Sequence, residues 1–318
     1  MKNNLIWVDV LKSIGIIMVV IGHFDSPYSS FIFSWHMPLF FFLAGFFFNS
    51  DAEVKSFFNK SFQRLMIPFF IFSFVGILAE FVKRILLSRA PMDMIDVLIG
   101  VFWKMDYQSL QYHYGYVLWF LPSLFIARLI LYATDLYLIH YKFMKFFIVW
   151  ILFFCSFYVD LPFAIDNGFN AALFVYLGTL FYNYFKNRSF PVLLFLLILP
   201  IVFYYFYTQN FPVLNLAEKY YSKPFENLIW FFSMGLALSL VFQKITLHYN
   251  LSQAYGFLGR NSMLIFIFHV YTNNIATILT RKTIGSNWVV EFLVSFLLIG
   301  IILVFKSKFP KLGIFKYV

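Results

Sequence analysis

The chain has 318 residues, of which 62% are hydrophobic, 24% aromatic and 12% charged, with mean hydropathy +0.80 and formal net charge +10. That much apolar surface exceeds what one soluble core can hide, so the composition reads as an all-α polytopic membrane protein with one integral-membrane domain over residues 1–318. The positive charge then calls for no nucleic-acid partner, because lysines and arginines collect in loops beside anionic membrane lipid.

A hydrocarbon core about 30 Å thick needs roughly 20 apolar residues per helix. Ten segments answer to this: 5–25, 31–49, 66–87, 116–138, 146–160, 168–185, 190–207, 226–243, 262–280 and 287–306. Runs such as Pro38 to Phe48 and Leu293 to Phe305 are apolar all round, whereas a spanning barrel alternates. With a cytoplasmic N-terminus and alternating helices, the larger share of basic residues falls inside, Lys55, Lys60, Arg64, Lys306, Lys308 and Lys311 among them. That bias puts both termini in the cytoplasm, with segment 88–115 as the contrary stretch. Cys155 is the single cysteine, which excludes an internal disulfide and reads as a packing residue. The chain contains no phosphate-binding glycine loop, zinc-protease motif or nucleophile elbow, so no metal or bound cofactor is expected and any chemistry falls to the helices and their short loops.

The first segment is unusually polar for a span. Asp9 and Lys12 are spaced for an (i, i+3) ion pair. Lys12 and His23 differ by only about 20° around a helix and stand about 16 Å apart along it, so they share a face. His36 opens the second segment and His269 lies within the ninth. Hydrocarbon tolerates imidazoles only for a reason, and three at membrane depth point to proton handling. His113 lies in the Tyr-rich segment before the fourth span, while His140 and His248 read as loop residues. Glu80, Glu226 and Glu291 are costly in or beside spans and invite partners.

These residues carry a resemblance. Trp7 to Lys12 with Gly22 and His23, then Trp35, His36, Met37, Pro38, Leu39 and the run to Phe46, are similar to acyltransferase family 3 of the membrane O-acyltransferases. Arg64 to Pro68, Leu118 to Pro122, and Gly259 to Met263 with His269 resemble its later motifs, in order and across most of the chain. The resemblance implies transfer of an acyl group, usually acetyl from acetyl-CoA as co-substrate, to a hydroxyl of a surface polysaccharide or lipid-linked glycan at the bacterial cytoplasmic (inner) membrane. Two departures stand out: Lys12 occupies a family arginine position, and Ser61 replaces one of a pair of arginines, with Arg64 kept and Lys60 adjacent. A lysine there keeps the charge but lacks the planar fork for phosphate.

The chemistry such a transfer demands agrees with the residues. A sugar hydroxyl attacking a thioester needs a general base, a task a neutral imidazole suits. His23 is read as that base and His36 as its partner. Lys12, Arg64, Lys60 and Arg260 are read as contacts for the donor's phosphates. Asp9, Trp119, Asn261, Ser262, His269 and His113 are assigned supporting or acceptor-side roles, with Asn261 and Ser262 suited to a helix start. A transporter or polymerase of lipid-linked glycans is the rival reading, since such proteins also line polar cavities with histidines and charges.

Overall fold

In a computed structural model the chain is described over residues 6–138, 141–185, 192–249, 253–283, 285–310, 312 and 314–316. It is 78% helical. The helices are α1 (Ile6–Gly22), α2 (Ser29–Phe33), α3 (His36–Gly45), α4 (Val54–Ser61), α5 (Ile67–Leu86), α6 (Met94–Ile99), α7 (Phe120–Tyr137), α8 (Lys142–Cys155), α9 (Ile165–Phe185), α10 (Val192–Thr208), α11 (Pro224–Tyr249), α12 (Phe257–Arg260), α13 (Ser262–Thr283) and α14 (Trp288–Lys308). A π-turn over Phe62–Met66 joins α4 to α5. Among the described residues the only sheet is a ribbon of two-residue strands, Leu214–Asn215 and Tyr220–Tyr221.

Among the described residues, five stretches are long and apolar enough to cross a membrane: Val54–Leu86, Tyr116–Tyr137, Pro224–Thr246, Ser262–Thr283 and Trp288–Lys308. Ser29–Gly45, Phe143–Cys155 and Ile198–Thr208 are shorter apolar helices. A helix falls in each of the ten predicted segments, but the boundaries differ for physical reasons. The first helix ends at Gly22, leaving His23 just beyond it. The second segment is broken at Ser34 and Trp35: Pro38 has no N–H to give the Ser34 carbonyl, and the chain restarts as α3 with its proline in the first turn. The third begins at Val54, twelve residues before the apolar run, because Lys55, Asn59, Lys60, Gln63 and Arg64 form a polar helical approach to it. Cys155 is exposed at the end of α8 rather than packed. His248 lies in the last turn of α11 rather than in a loop. His140 and Lys311 lie outside the described residues.

The chain divides into two compact units. Unit one comprises residues 1–40, 184–215 and 221–310, and α1 runs through its core, packed on α11, α12 and α13. Trp230, fully buried, donates from Nε1 to Ser34 Oγ at 2.8 Å, so the break between α2 and α3 is pinned to α11. Unit two comprises residues 41–183, 216–220 and 311–318. Here a Cβ at Gly178 would stand 1.8 Å from the Phe42 carbonyl oxygen, so only glycine lets α9 cross α3 this closely. Glu80 is buried and paired with Lys83 at 3.2 Å and Arg84 at 2.9 Å, which accounts for a carboxylate in an apolar helix.

Candidate active site

The last four carbonyls of any helix lack intrahelical donors. At the end of α1 three of the four meet one. His23 Nδ1 lies 3.0 Å from Val19 O, Asn273 Nδ2 donates to Val20 O at 3.3 Å, and Phe24 N donates to Ile21 O at 3.1 Å. The Ser29 hydroxyl lies 3.5 Å from Gly22 O, with a nearer acceptor in Ser26 O at 2.9 Å. Because a carbonyl can only accept, Nδ1 of His23 carries the proton and donates it, leaving Nε2 as the basic nitrogen. The end of the helix thus fixes both the tautomer and the ring orientation.

His36 and His269 are held the same way, Nδ1 of His36 on Ile32 O at 2.8 Å and Nδ1 of His269 on Phe266 O at 2.6 Å. His23 and His269 meet ring to ring at 4.8 Å, edge to face. The Phe33 ring lies 5.6 Å from His23 and 5.2 Å from His36, between the two in chain order and in contact with both. The three imidazoles that sequence reasoning singled out are therefore gathered in unit one, with the order of proximity changed: His269, not His36, is against His23. Exposure separates them too, since His23 is exposed whereas His36 and His269 are 3% and 0% exposed. Among the described residues His269 Nε2 is buried without a hydrogen-bond partner.

A polar ladder that the sequence reading missed supports this group. Ser295 Oγ, from α14, donates to Asn273 Oδ1 at 2.6 Å and lies 2.9 Å from Thr272 Oγ1, which in turn donates to His269 O at 3.1 Å. Asn273 thus ties α14 through α13 to the carbonyl next to the one that orients His23. The available signal was spacing: Thr272 and Asn273 fall three and four residues after His269, on its face of an apolar span. Further along, Glu291 is buried and lies 3.9 Å from Arg281 Nε, with Thr277 Oγ1 at 3.4 Å.

At the other end of α1, Asp9 lies between two cations, 4.0 Å from Lys12 Nζ and 3.7 Å from Arg260. Glycines make that arrangement possible. A Cβ at Gly259 would stand 1.8 Å from Asp9 O, and one at Gly256 would stand 2.7 Å from Asp9 Cβ. Gly259 N donates to Ser13 Oγ at 2.7 Å, and Ser13 Oγ donates back to Asp9 O at 2.9 Å. Asn261 Oδ1 accepts from Lys306 Nζ at 2.8 Å and its Nδ2 donates to Phe257 O at 2.9 Å, so its side chain joins α12 to α14. Ser262 is the first residue of α13. Asp9, Lys12, Arg260 and Lys306 thus form a predominantly basic cluster in unit one.

The remaining predicted residues lie in unit two. Arg64 is exposed in the π-turn and Lys60 is exposed one turn earlier. Arg64 acts electrostatically on Arg128, whose guanidinium lies over the rings of Phe48 and Phe57 at 5.9 and 5.4 Å. Trp119 is buried against Phe41 and Phe120, a core position rather than an open stacking platform. His113 is also buried, with Nδ1 within 2.9 Å of Leu110 O, and burial holds its imidazole below the usual histidine pKa. Among the described residues no group of three or more His, Cys, Asp or Glu is placed to hold a metal ion.

Apolar spans thus accompany an imidazole whose Nδ1 is held on a carbonyl at one end of α1 and a predominantly basic cluster at the other. The family model described as an acyltransferase domain matches residues 5–306, and the chain belongs to acyltransferase family 3. It is a multi-pass membrane acyltransferase. No curated protein and no solved structure matched.

Proposed function

We propose that the chain moves an acetyl group from acetyl-CoA to a hydroxyl of a surface polysaccharide or lipid-linked glycan, in a bacterial cytoplasmic membrane, with His23 as general base. The observation that carries this reading is that His23 is the exposed member of the histidine group and has its Nδ1 committed to Val19 O. Nε2 takes the proton of the attacking hydroxyl while its oxygen forms a bond to the thioester carbon. The tetrahedral adduct collapses with cleavage of the C–S bond, and the imidazolium returns the proton to the leaving thiolate, so an ester and free CoA are formed and the base is restored. His269, edge-on at 4.8 Å, positions the His23 ring. His36 shapes the same site through Phe33.

Lys12 and Arg260 are assigned to the donor's phosphates, with Arg64 and Lys60 as further contacts, because cations near the cytoplasmic ends of helices suit an anionic cytoplasmic co-substrate. About 16 Å of helix between Lys12 and His23 matches a co-substrate whose charged end and reactive thioester are far apart. The direct experiment is acetyl-CoA-dependent formation of a carbohydrate ester by the purified protein, followed by mass analysis. Ester formation that requires both acetyl-CoA and His23 supports the reading. Transport of a lipid-linked glycan without chemical change contradicts it.

A further inference from the structure

Unit two contains a polar cleft of about 560 Å³, inside the roughly 300–1,000 Å³ of small-molecule sites. It is formed by α6 and the segment that follows it, by Asp160 with the start of α9, and by residues 217–219. The carboxylates of Asp96, Asp106, Asp160, Asp166 and Glu218 line it, against only two cations, Lys104 and Lys219. Both lysines are committed, Lys104 to Asp160 at 2.6 Å and Lys219 to Asp166. Such a wall repels phosphates and so cannot serve the donor.

Asp166 is the informative member. It is 2% exposed, its Oδ2 takes the Lys219 ammonium, and its Oδ1 is buried with no hydrogen-bond partner among the described residues. A buried carboxylate oxygen without a donor is costly, and the cleft it lines is where a donor must come from. Beside it Asn167, 3% exposed, is held by its Nδ2 on Ala217 O at 3.1 Å, which fixes its amide at the cleft wall. Tyr112 presents a half-exposed ring at the same cleft. A ligand that suits this lining donates hydrogen bonds to carboxylates, bears no negative charge and has an apolar face for an aromatic ring.

We propose that this cleft binds an uncharged, hydroxyl-rich ligand, a sugar residue of the glycan that accepts the acyl group. The naming of the ligand as the acceptor's sugar rests on the carbohydrate reading above, while the cleft's preference for neutral hydroxyl donors stands on its own lining. Asp166 Oδ1 takes a sugar hydroxyl, and the excess of carboxylates excludes sugar phosphates and CoA alike.

The test is saturation-transfer NMR on the purified full-length protein with methyl glycosides of glucose, galactose, mannose and rhamnose. Glucose 6-phosphate and spermidine serve as the anionic and cationic probes. Saturation of one or more neutral glycosides, with none on glucose 6-phosphate, is expected. Asp166→Asn weakens that binding about tenfold, the effect of losing a hydrogen bond to a charged group. Asp96→Asn, at an exposed position on the rim, gives a smaller loss without touching the buried pair and covers the case in which Asp166→Asn does not fold. Binding of spermidine alone, no glycoside binding, or full binding by Asp166→Asn overturns the proposal. If the wild-type enzyme esterifies glycans yet no glycoside occupies the cleft, this inference falls and the proposed function stands. If glycosides bind but no carbohydrate is ever acylated, the acceptor reading falls and the sugar cleft stands.

Discussion

Replacing Gly259 with alanine tests the packing that places Arg260 beside Asp9. The added Cβ would stand 1.8 Å from Asp9 O and 2.7 Å from the Asp9 carbonyl carbon, and both are main-chain atoms of a core helix that cannot rotate away. α12 must therefore retreat by more than an ångström. That retreat breaks the 2.7 Å bond from Gly259 N to Ser13 Oγ and opens the 3.7 Å pair between Arg260 and Asp9. Overpacking costs about 1–3 kcal/mol and the lost hydrogen bond about 1 kcal/mol, so the variant is expected to be about 2–4 kcal/mol less stable. Gly300 in α14 is the matched control, because a Cβ there meets nothing within 4 Å. Gly300→Ala should instead stabilise by about 0.5–1 kcal/mol through helix propensity alone. Thermal unfolding of both in one detergent, followed by tryptophan fluorescence, reads the opposite signs. If Gly259→Ala melts with or above the wild type, the tight approach of α12 to α1 is wrong.

Lys12→Gln is expected to raise the acetyl-CoA KM about tenfold with kcat nearly unchanged, whereas Lys12→Arg keeps most of the affinity; an unaltered KM in Lys12→Gln confines Lys12 to its ion pair with Asp9. Asn273→Ala removes the support of Val20 O and should lower kcat, but add nothing in a His23→Ala background; additive losses would show that Asn273 acts independently of His23. Burial lowers the folded-state pKa of His113, so the unfolded chain takes up a proton first as pH falls; stability held above the ordinary value of about 6.5 should decline below it, and His113→Gln should flatten that decline in unfolding curves recorded from pH 7 to 5. For topology, Asp25→Cys, with its side chain 92% exposed, should label with an impermeant thiol reagent on intact cells and exposed Lys55→Cys should not, after exposed Cys155 is replaced; the reverse pattern inverts the orientation.

Much of the fold was legible because lipid imposes so strong a rule that apolar runs and helices coincide, as at Tyr116–Tyr137 and Trp288–Lys308. Boundaries failed where a local hydrogen-bond detail overrides hydropathy: the break before His36 depends on the N–H missing from Pro38, and the early start at Val54 depends on polar residues that read as loop. Of the site, His23, His36 and His269 were visible because imidazole is rare in hydrocarbon, and the Asp9–Lys12 pair because its spacing is local. The direct contact of His23 with His269 and the pairing of Arg260 with Asp9 join residues more than 240 positions apart, which no local pattern encodes. Ser295 looked like an ordinary small residue in an apolar run until its bonds to Thr272 and Asn273 gave it a place. The acidic cleft was invisible because its carboxylates come from three separate stretches of chain.

The central claim is that His23 Nε2 is the base, and its most direct test is the acyl-transfer rate of purified His23→Ala at saturating acetyl-CoA beside the wild type. Removing a general base should lower kcat by about 10²- to 10⁴-fold, with the protein still folded and acetyl-CoA affinity little changed. A kcat within a few-fold of wild type would contradict the account.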